Sequence, residues 1–214
     1  MTRTIAKASF LTAMNLLIFA LIGTAILAFT YSQTHDRIQH SIEAEKFKLI
    51  SQILPQSLFD NDIIKDTLQI RPDALLGNED TTTAYRARLK GQPSALVLEA
   101  IAPDGYSGKI YLLVAIRENG TLAGVRVVAH KETPGLGDYI EIGRSDWIKG
   151  FDGTSLAAYN DTDWKVKKDG GKFDYMAGAT ITPRAVVKAV HKSLQYFEQH
   201  RDALLAGSSS KESQ

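Results

Sequence analysis

Residues 109–129, KIYLLVAIRENGTLAGVRVVA, contain two runs rich in Val, Ile and Leu on either side of the dipeptide Asn119-Gly120. The runs Lys109–Arg117 and Leu122–Ala129 have the composition and the length of β-strands. Asn-Gly supplies the positive φ angles of a type I′ turn, so the segment predicts a β-hairpin.

Further strands are predicted on both sides of this hairpin. Upstream runs of similar composition are Thr81–Leu89 and Ala95–Ala102. Pro103-Asp104-Gly105 predicts a turn after them. A second, short hairpin with glycines in its turn is expected downstream, made of Trp164–Lys168, Asp169-Gly170-Gly171 and Lys172–Met176.

Helices are predicted before and after the strands. An apolar stripe at helical spacing precedes Pro55, formed by Ile38, Ile42, Phe47, Leu49, Ile50, Ile53 and Leu54. A second apolar stripe lies within Thr182–His200, formed by Ala185, Val186, Ala189, Val190, Leu194 and Phe197. Thr182 is expected to cap this helix, with Pro183 at its first position. The predicted fold class is α+β, a single domain with an antiparallel sheet flanked by helices.

The N-terminal region predicts a transmembrane helix at residues 8–31. No charged residue occurs from Ala8 to Thr34, and about 20 apolar residues suffice to cross a bilayer as a helix. A cleaved signal peptide is the competing interpretation. Its apolar region is ~7–15 residues long and precedes a small-residue cleavage site. Phe10–Phe29 is longer, which favours an uncleaved anchor.

The expected order of segments follows from this anchor. Residues 1–7 form a short basic cytoplasmic tail, 36–203 an extracytoplasmic domain, and 204–214 a small, polar and disordered tail. Basic residues on the two sides of the span nearly balance, but large domains translocate largely regardless of charge. We therefore expect a cytoplasmic N-terminus and a periplasmic main domain.

The composition excludes several classes of site. The chain has 214 residues, no cysteine, and 25 Lys+Arg against 24 Asp+Glu, a net charge of +1. Without cysteine it can hold no disulfide, no Cys-ligated zinc, no iron–sulfur cluster and no c-type haem. The balanced charge gives no basic surface for nucleic acid.

The first informative loop is HKETPGLG, residues 130–137, directly after the strand Leu122–Ala129. A glycine-bearing loop at a strand end lets the backbone approach a ligand closely. His130 and Glu132 do not form a metalloprotease motif, because the second histidine is absent and Pro134 blocks a helix. The residues alone leave open whether this is a ligand loop or a structural one.

The second informative loop runs from Asp174 to Arg184 and ends in the last predicted helix. Free N–H groups and the positive end of the dipole make a helix N-terminus a phosphate site. Arg184, in the first turn, could add a guanidinium contact. The alternative is a plain N-cap, in which Thr182 caps the helix and Thr180 has no role.

The two loops together, HKETPGLG and GATITPRAVV, with GYSGKIYLLVAI at residues 105–116, resemble the flavin-binding domain of ion-translocating redox complexes. The similarity is to the G subunit of the Rnf/Rsx electron transport complex and extends over the whole chain. A related family is the C subunit of the sodium-pumping NADH:quinone reductase, which remains the alternative assignment.

The resemblance implies a covalently bound FMN. In that family a flavin transferase attaches FMN through its phosphate to a threonine of the pattern D-x-x-[S/T]-G-A-[S/T]. The pattern runs here from Asp174 to Thr180 and includes Gly178 and Ala179, so Thr180 is the implied acceptor and Thr182 the alternative. Ala177 departs from the pattern, where Ser or Thr is usual. The resemblance also implies that the first loop lies against the flavin, with His130, Glu132, Thr133, Pro134, Gly135, Leu136 and Gly137 as cofactor-binding residues.

The implied function is electron relay within a multisubunit complex of the bacterial inner membrane. Such a complex couples ferredoxin/NAD-type electron flow to ion translocation, or supplies electrons to a redox regulator. A hypothesis from another class is a membrane-tethered sensor or scaffold domain that binds flavin or nothing. A hydrolase is disfavoured because the chain has no serine in a nucleophile-elbow setting and no metal-ligand spacing.

Overall fold

The computed structural model describes residues 2–206, apart from the side chains of residues 2–6, 8 and 36–43. Most of the predicted C-terminal tail, residues 207–214, therefore lies outside the described residues. The chain divides into two units, Met1–Glu45 and Lys46–Gln214.

The first unit is helical and contains a segment apolar enough to cross a membrane. Helix α1 (Thr2–Ile53) begins in this unit and ends in the second. Within it Ser9–His35, 27 residues with a mean hydropathy of 2.2, has none of its most apolar window buried by the protein. The predicted apolar helix is confirmed, and its length exceeds the need of about 20 residues.

The second unit is built on a five-stranded antiparallel sheet. The strands are β1 (Thr67–Ile70), β2 (Thr82–Leu89), β3 (Gln92–Gly105), β4 (Gly108–Arg117) and β5 (Leu122–Ala129). They lie in sequence order, each paired with the next. Helix α2 (Ile181–Leu205) follows a long connection that holds three short 3₁₀ helices. The predicted α+β class is confirmed, while β1 is a strand that the sequence patterns did not indicate.

The two faces of the sheet carry separate hydrophobic cores. Alternate residues of β3 show this, since Leu98 packs into the core beneath α2 and its neighbour Val97 into the core beneath the end of α1. The predicted stripe of α2 is buried throughout. In the predicted stripe before Pro55, Ile50, Ile53 and Leu54 are buried, Leu49 is half-buried and Phe47 is exposed, while the side chains of Ile38 and Ile42 lie outside the described residues. A Cβ added at Gly124 of β5 would lie 2.9 Å from the Cβ of Ile53. The last turn of α1 therefore packs directly on β5.

The β4–β5 hairpin is confirmed, but its predicted turn type is wrong. Among the described non-glycine residues only Lys90 has a positive φ, so Asn119 does not adopt the angles of a type I′ turn. Instead the N–H of Gly120 (φ 83°) donates to the carbonyl of Arg117 at 2.9 Å. A type I turn followed by a left-handed glycine connects the strands.

Two other predicted turns are also wrong. Strand β3 continues through Pro103-Asp104-Gly105, and the hairpin turns at the next two residues, Tyr106 and Ser107. The second predicted hairpin is absent, because residues 167–169 form a 3₁₀ helix and Val166 makes only one, parallel, bridge to Phe173. Trp164 and Phe173 both turn into the core beneath α2, which folds this segment around aromatic side chains instead of a strand pair.

Buried tyrosines predict a loss of stability at alkaline pH. Burial raises the pKa of Tyr85 to about 12, helped by the charge of Glu99. Burial likewise raises the pKa of Tyr139 to about 12. An unfolded tyrosine ionises near 10.0. The contribution of these two tyrosines to the free energy of unfolding should therefore be complete below this pH and be lost as the pH rises from 10.0 to about 12.

Lys46 should act in the same direction. Burial is the largest single influence and would lower its pKa, but the hydrogen bond and the charge of Glu99, together with Tyr85, outweigh burial and raise the pKa. Urea unfolding of the full chain in detergent at increasing pH measures the effect. The double variant Tyr85→Phe/Tyr139→Phe should show a shallower alkaline decline, and Tyr111→Phe, at an exposed tyrosine, should not. An unchanged decline in the double variant would contradict the assignment.

Candidate functional site

The two informative loops meet at one cavity of about 340 Å³, although about 40 residues separate them. The first loop follows β5, and the second leads into α2. The turn between β3 and β4 forms a third wall. The lining residues are Tyr106, Glu132, Thr133, Leu136, Gly137, Gly178, Ala179, Thr180, Ile181 and Thr182.

Not every residue assigned to the site from the sequence reaches this cavity. Those that do not line it are His130, Pro134, Gly135, Asp174 and Arg184. The cavity includes two residues that the sequence analysis missed, Tyr106 and Ile181. Tyr106 is not indicated by the sequence because the turn is predicted at residues 103–105 and the next strand at Lys109–Arg117, which leaves this tyrosine between the two without a role.

Thr180 occupies the N-cap position of α2 but does not cap the helix. Its backbone is helical (φ −89°, ψ −20°), and its side chain makes no capping hydrogen bond. Within residues 2–206 the hydroxyl has no hydrogen-bond partner, and the residue is half-buried in the cavity wall. Thr180 therefore presents a free hydroxyl to the cavity.

The first turn of α2 adds backbone donors beside that hydroxyl. The first N–H groups of an α-helix have no intrahelical acceptor. Those of Thr180, Ile181 and Thr182 find no other acceptor in the described chain, and Pro183 has no N–H. These groups and the helix dipole favour an anion at this end of the cavity.

The prediction that Thr182 caps the helix is wrong. Helix α2 begins at Ile181, which makes Thr182 its second residue and Pro183 its third. Thr182 is 1% exposed, and its hydroxyl donates to the carboxylate of Glu132. The buried carboxylate competes successfully for this hydroxyl because burial without donors would be costly.

Glu132 joins the three walls of the cavity. Its side chain is buried, and its Oε1 accepts a hydrogen bond of 2.9 Å from the N–H of Ser107 in the β3–β4 turn. Its Oε2 accepts from Thr182 in α2. Glycine is needed next to each carboxylate oxygen of Glu132. A Cβ at Gly105 would lie 3.0 Å from Oε1, and a Cβ at Gly137 would lie 2.9 Å from Oε2.

His130 does not line the cavity and supports the backbone of Glu132 from outside it. Its Nδ1 accepts from the backbone N–H of Glu132 at 2.9 Å, so the ring proton is on Nε2, which donates to Glu141 at 2.6 Å. The ring thereby fixes the backbone at the start of the first loop without reaching the cavity.

The charged residues of the second loop are paired outside the cavity. Arg184 makes two hydrogen bonds to Asp169, at 2.6 and 2.7 Å, and its guanidinium lowers the pKa of that carboxyl. Asp174 pairs with Lys167 at 2.5 Å. The guanidinium contact expected from the sequence is therefore directed to Asp169.

The second loop is anchored to the core at its start. The indole N–H of Trp147 donates to the carbonyl of Asp174 at 2.8 Å, and the hydroxyl of Tyr139 accepts from the N–H of Met176 at 3.3 Å. A tight turn closed by Met176 and Ala179 follows, with Gly178 at φ 89°. This turn places Thr180 in the cavity wall.

Comparisons with known proteins match both parts of the chain. Residues 105–195 match the model of the FMN-binding domain, and residues 1–53 match that of the RnfG N-terminal region. The G subunit of the ion-translocating oxidoreductase complex of Pseudomonas aeruginosa (strain PAO1) is 50% identical over 91% of each chain. The protein of the same name from Vibrio cholerae (strain M66-2) is 47% identical, over 88% of this chain and 90% of its own. Among solved structures, Shewanella oneidensis NqrC is 22% identical, covers 71% of this chain and 74% of its own, and has a TM-score of 0.46.

Proposed function

The chain belongs to the family of G subunits of ion-translocating oxidoreductase complexes, and on that premise we propose that it is a membrane-anchored electron-transfer subunit with one FMN attached through its phosphate to Thr180. The FMN-binding domain match covers the second loop and the first turns of α2, where Thr180 lies. The free hydroxyl of Thr180 in the cavity wall is the observation that carries the proposal.

The cavity fits an FMN in size and in chemistry. Its volume of about 340 Å³ is within the range of about 300–1,000 Å³ for ligand pockets. Backbone N–H groups of Thr180, Ile181 and Thr182 suit a phosphate, and Tyr106 and Leu136 give apolar wall for a flat ring. Bound FMN supplies one- or two-electron transfer through its isoalloxazine ring.

Thr180 is the favoured acceptor over Thr182. A phosphoester can form only at a hydroxyl that the donor and the transferase can reach. Thr182 is 1% exposed and its hydroxyl is held by Glu132, whereas Thr180 is half-buried and its hydroxyl is free. The neighbouring helix N-terminus partly offsets the phosphate charge.

The experiment is intact mass spectrometry of the full chain, produced with and without a flavin transferase and purified in detergent. One added FMN per chain is expected only with the transferase, in the tryptic peptide of residues 173–184. An unmodified chain, or FMN that is lost on denaturation, would overturn the covalent assignment. FMN that is present but never reduced by the other subunits would favour a sensor or scaffold domain.

The chain acts as a relay and requires other subunits for ion transport. Residues 9–34 contain no Asp, Glu, Lys, Arg or His, and ion paths through membranes use such side chains or polar cavities. The partners are the other subunits of the complex, which exchange electrons with the flavin. The complex as a whole, and not this chain alone, couples electron flow between ferredoxin and NAD to ion transport or passes electrons to a redox regulator.

The proposed topology places residues 1–7 in the cytoplasm, a span within 8–31, and the FMN-binding domain, 36–203, in the periplasm of a bacterial inner membrane. Because the chain has no cysteine, single cysteines can report on it directly. A membrane-impermeant thiol reagent should label Glu118→Cys in intact spheroplasts and Ala6→Cys only after lysis. The reverse pattern would invert the topology.

A further inference from the structure

We propose that Glu132, whose hydrogen bonds hold the walls of the cavity in place, also lowers the reduction potential of the flavin bound there. The inference rests on the proposed function, since it needs FMN in the cavity lined by Glu132, Thr180 and Tyr106. It concerns the reduction potential of the flavin, which attachment at Thr180 does not determine.

The carboxylate of Glu132 is held as a buried hydrogen-bond acceptor. The residue is 4% exposed yet lines the cavity. Both of its oxygens accept, one from the N–H of Ser107 and the other from the hydroxyl of Thr182. Two accepting oxygens are the pattern of an ionised carboxylate.

Among the side chains that the structure describes, no Lys, Arg or His forms a salt bridge with this carboxylate. Its partners are a backbone N–H and a hydroxyl, both neutral. The first turn of α2, where Thr182 lies, contributes the partial positive charge of a helix N-terminus, while Arg184 of the same turn is paired with Asp169 outside the cavity. The other acidic residues near the two loops differ in this respect, since Asp169 pairs with Arg184 and Asp174 with Lys167. Glu132 thus leaves an uncompensated negative charge at the cavity.

Such a charge opposes reduction of a flavin beside it. Each electron added to the isoalloxazine brings a negative charge unless a proton enters with it. In a partly enclosed cavity this charge and the carboxylate repel each other more strongly than they would in water. The oxidised flavin is therefore favoured, and its midpoint potential is lower than it would be without the charge.

The position of the carboxylate is fixed closely enough for this effect to be stable. Gly105 and Gly137 leave room for it where any side chain would collide. His130 holds the backbone of Glu132 from behind. The charge therefore has one location relative to the hydroxyl of Thr180.

The variant Glu132→Gln tests the charge while preserving the shape. The amide oxygen can still accept from Ser107, and the amide N–H₂ can donate to the hydroxyl of Thr182. We expect about a tenfold shift of the one-electron equilibrium toward the reduced flavin, equivalent to a rise of about 59 mV. Spectroelectrochemical titration of the full, FMN-loaded chain in detergent measures it. A potential equal to or below that of the wild-type chain would overturn the inference.

Two threonine variants and a glutamate control separate charge from structure. Thr182→Val removes one hydrogen-bond donor from the carboxylate of Glu132 and should lower the flavin potential. Thr182→Ser keeps the hydroxyl and should leave the flavin potential unchanged. A rise or no change in Thr182→Val would overturn the inference even if Glu132→Gln does not fold. Glu141→Gln removes a carboxylate that is 43% exposed, so solvent screening predicts a smaller shift.

Failure of the proposed function gives a different result. If the wild-type chain carries no FMN after production with a transferase, the proposed function fails and no potential exists to compare. If FMN is attached and only the folding stability of the Glu132→Gln chain changes, Glu132 has a structural role alone and this inference is wrong.

Discussion

Replacement of Thr180 by valine is expected to abolish covalent FMN completely, because valine has nearly the same shape but no oxygen to form the phosphoester. A threonine at an N-cap normally contributes about 1 kcal/mol through its capping hydrogen bond. Thr180 makes no such bond, so the variant should fold with close to wild-type stability. Intact mass of the full chain produced with a flavin transferase measures the loss.

Matched substitutions at Thr180 and Thr182 identify the acceptor. Thr180→Ser should keep the FMN, because serine retains a hydroxyl at the same place. Thr182→Ser should also keep it, since Thr182 is buried against Glu132. Survival of the mass increment in Thr180→Val would show that another hydroxyl is the acceptor, with Thr182 the first to test by Thr182→Val.

The parts of the fold that local sequence determines were predicted. Residues 109–129 form the expected hairpin because both strands and the turn between them lie within one short segment. Strand β1 was not indicated, because Thr67–Ile70 is only four residues long and two of them are polar. Its pairing with β2 depends on chain that lies more than ten residues away.

The wrong hairpin has a non-local cause. Residues 164–176 contain alternating apolar residues and glycines, which favour a hairpin when considered alone. In the structure Trp164 and Phe173 contact side chains from distant segments, His191 of α2 and Phe151 respectively. Burial of these rings outweighs strand pairing in a segment this short.

The site was predicted as two loops, but their internal arrangement was not. Both loops could be identified because each is a compact motif in the sequence. The contact between Glu132 and Thr182 joins residues 50 positions apart, and no local pattern indicates it. In the same way, Arg184 was expected to face a phosphate, because the sequence does not show that Asp169 lies opposite it.

The same aromatic side chains connect the core to the site. Phe151 is fully buried, stacks on Phe173 with ring centroids 4.6 Å apart, and meets the edge of Trp147 at 5.5 Å. Trp147 in turn donates to the carbonyl of Asp174, the residue directly after Phe173. The start of the second loop is therefore held by contacts that include Phe151.

Phe151→Ala should consequently cause the largest loss of stability among simple truncations of this region. Removal of a fully buried phenylalanine costs about 3–5 kcal/mol, because apolar contacts are lost and a cavity remains. A whole domain is stable by only about 5–15 kcal/mol. Urea unfolding of the full chain in detergent, followed by the fluorescence of Trp147 and Trp164, should show a much lower midpoint.

The variant Phe47→Ala provides the matched control, since it makes the same substitution at a phenylalanine that is 43% exposed. Its cost should be far smaller, because a large part of that residue is already in contact with solvent in the folded chain. Hydrogen exchange should separate the two further. Phe151→Ala should speed the exchange of amides in residues 174–180, because the rings that support the second loop are no longer packed, and Phe47→Ala should not. Equal exchange rates in both variants would mean that the loop is held by the hydrogen bonds of Trp147 and Tyr139 alone.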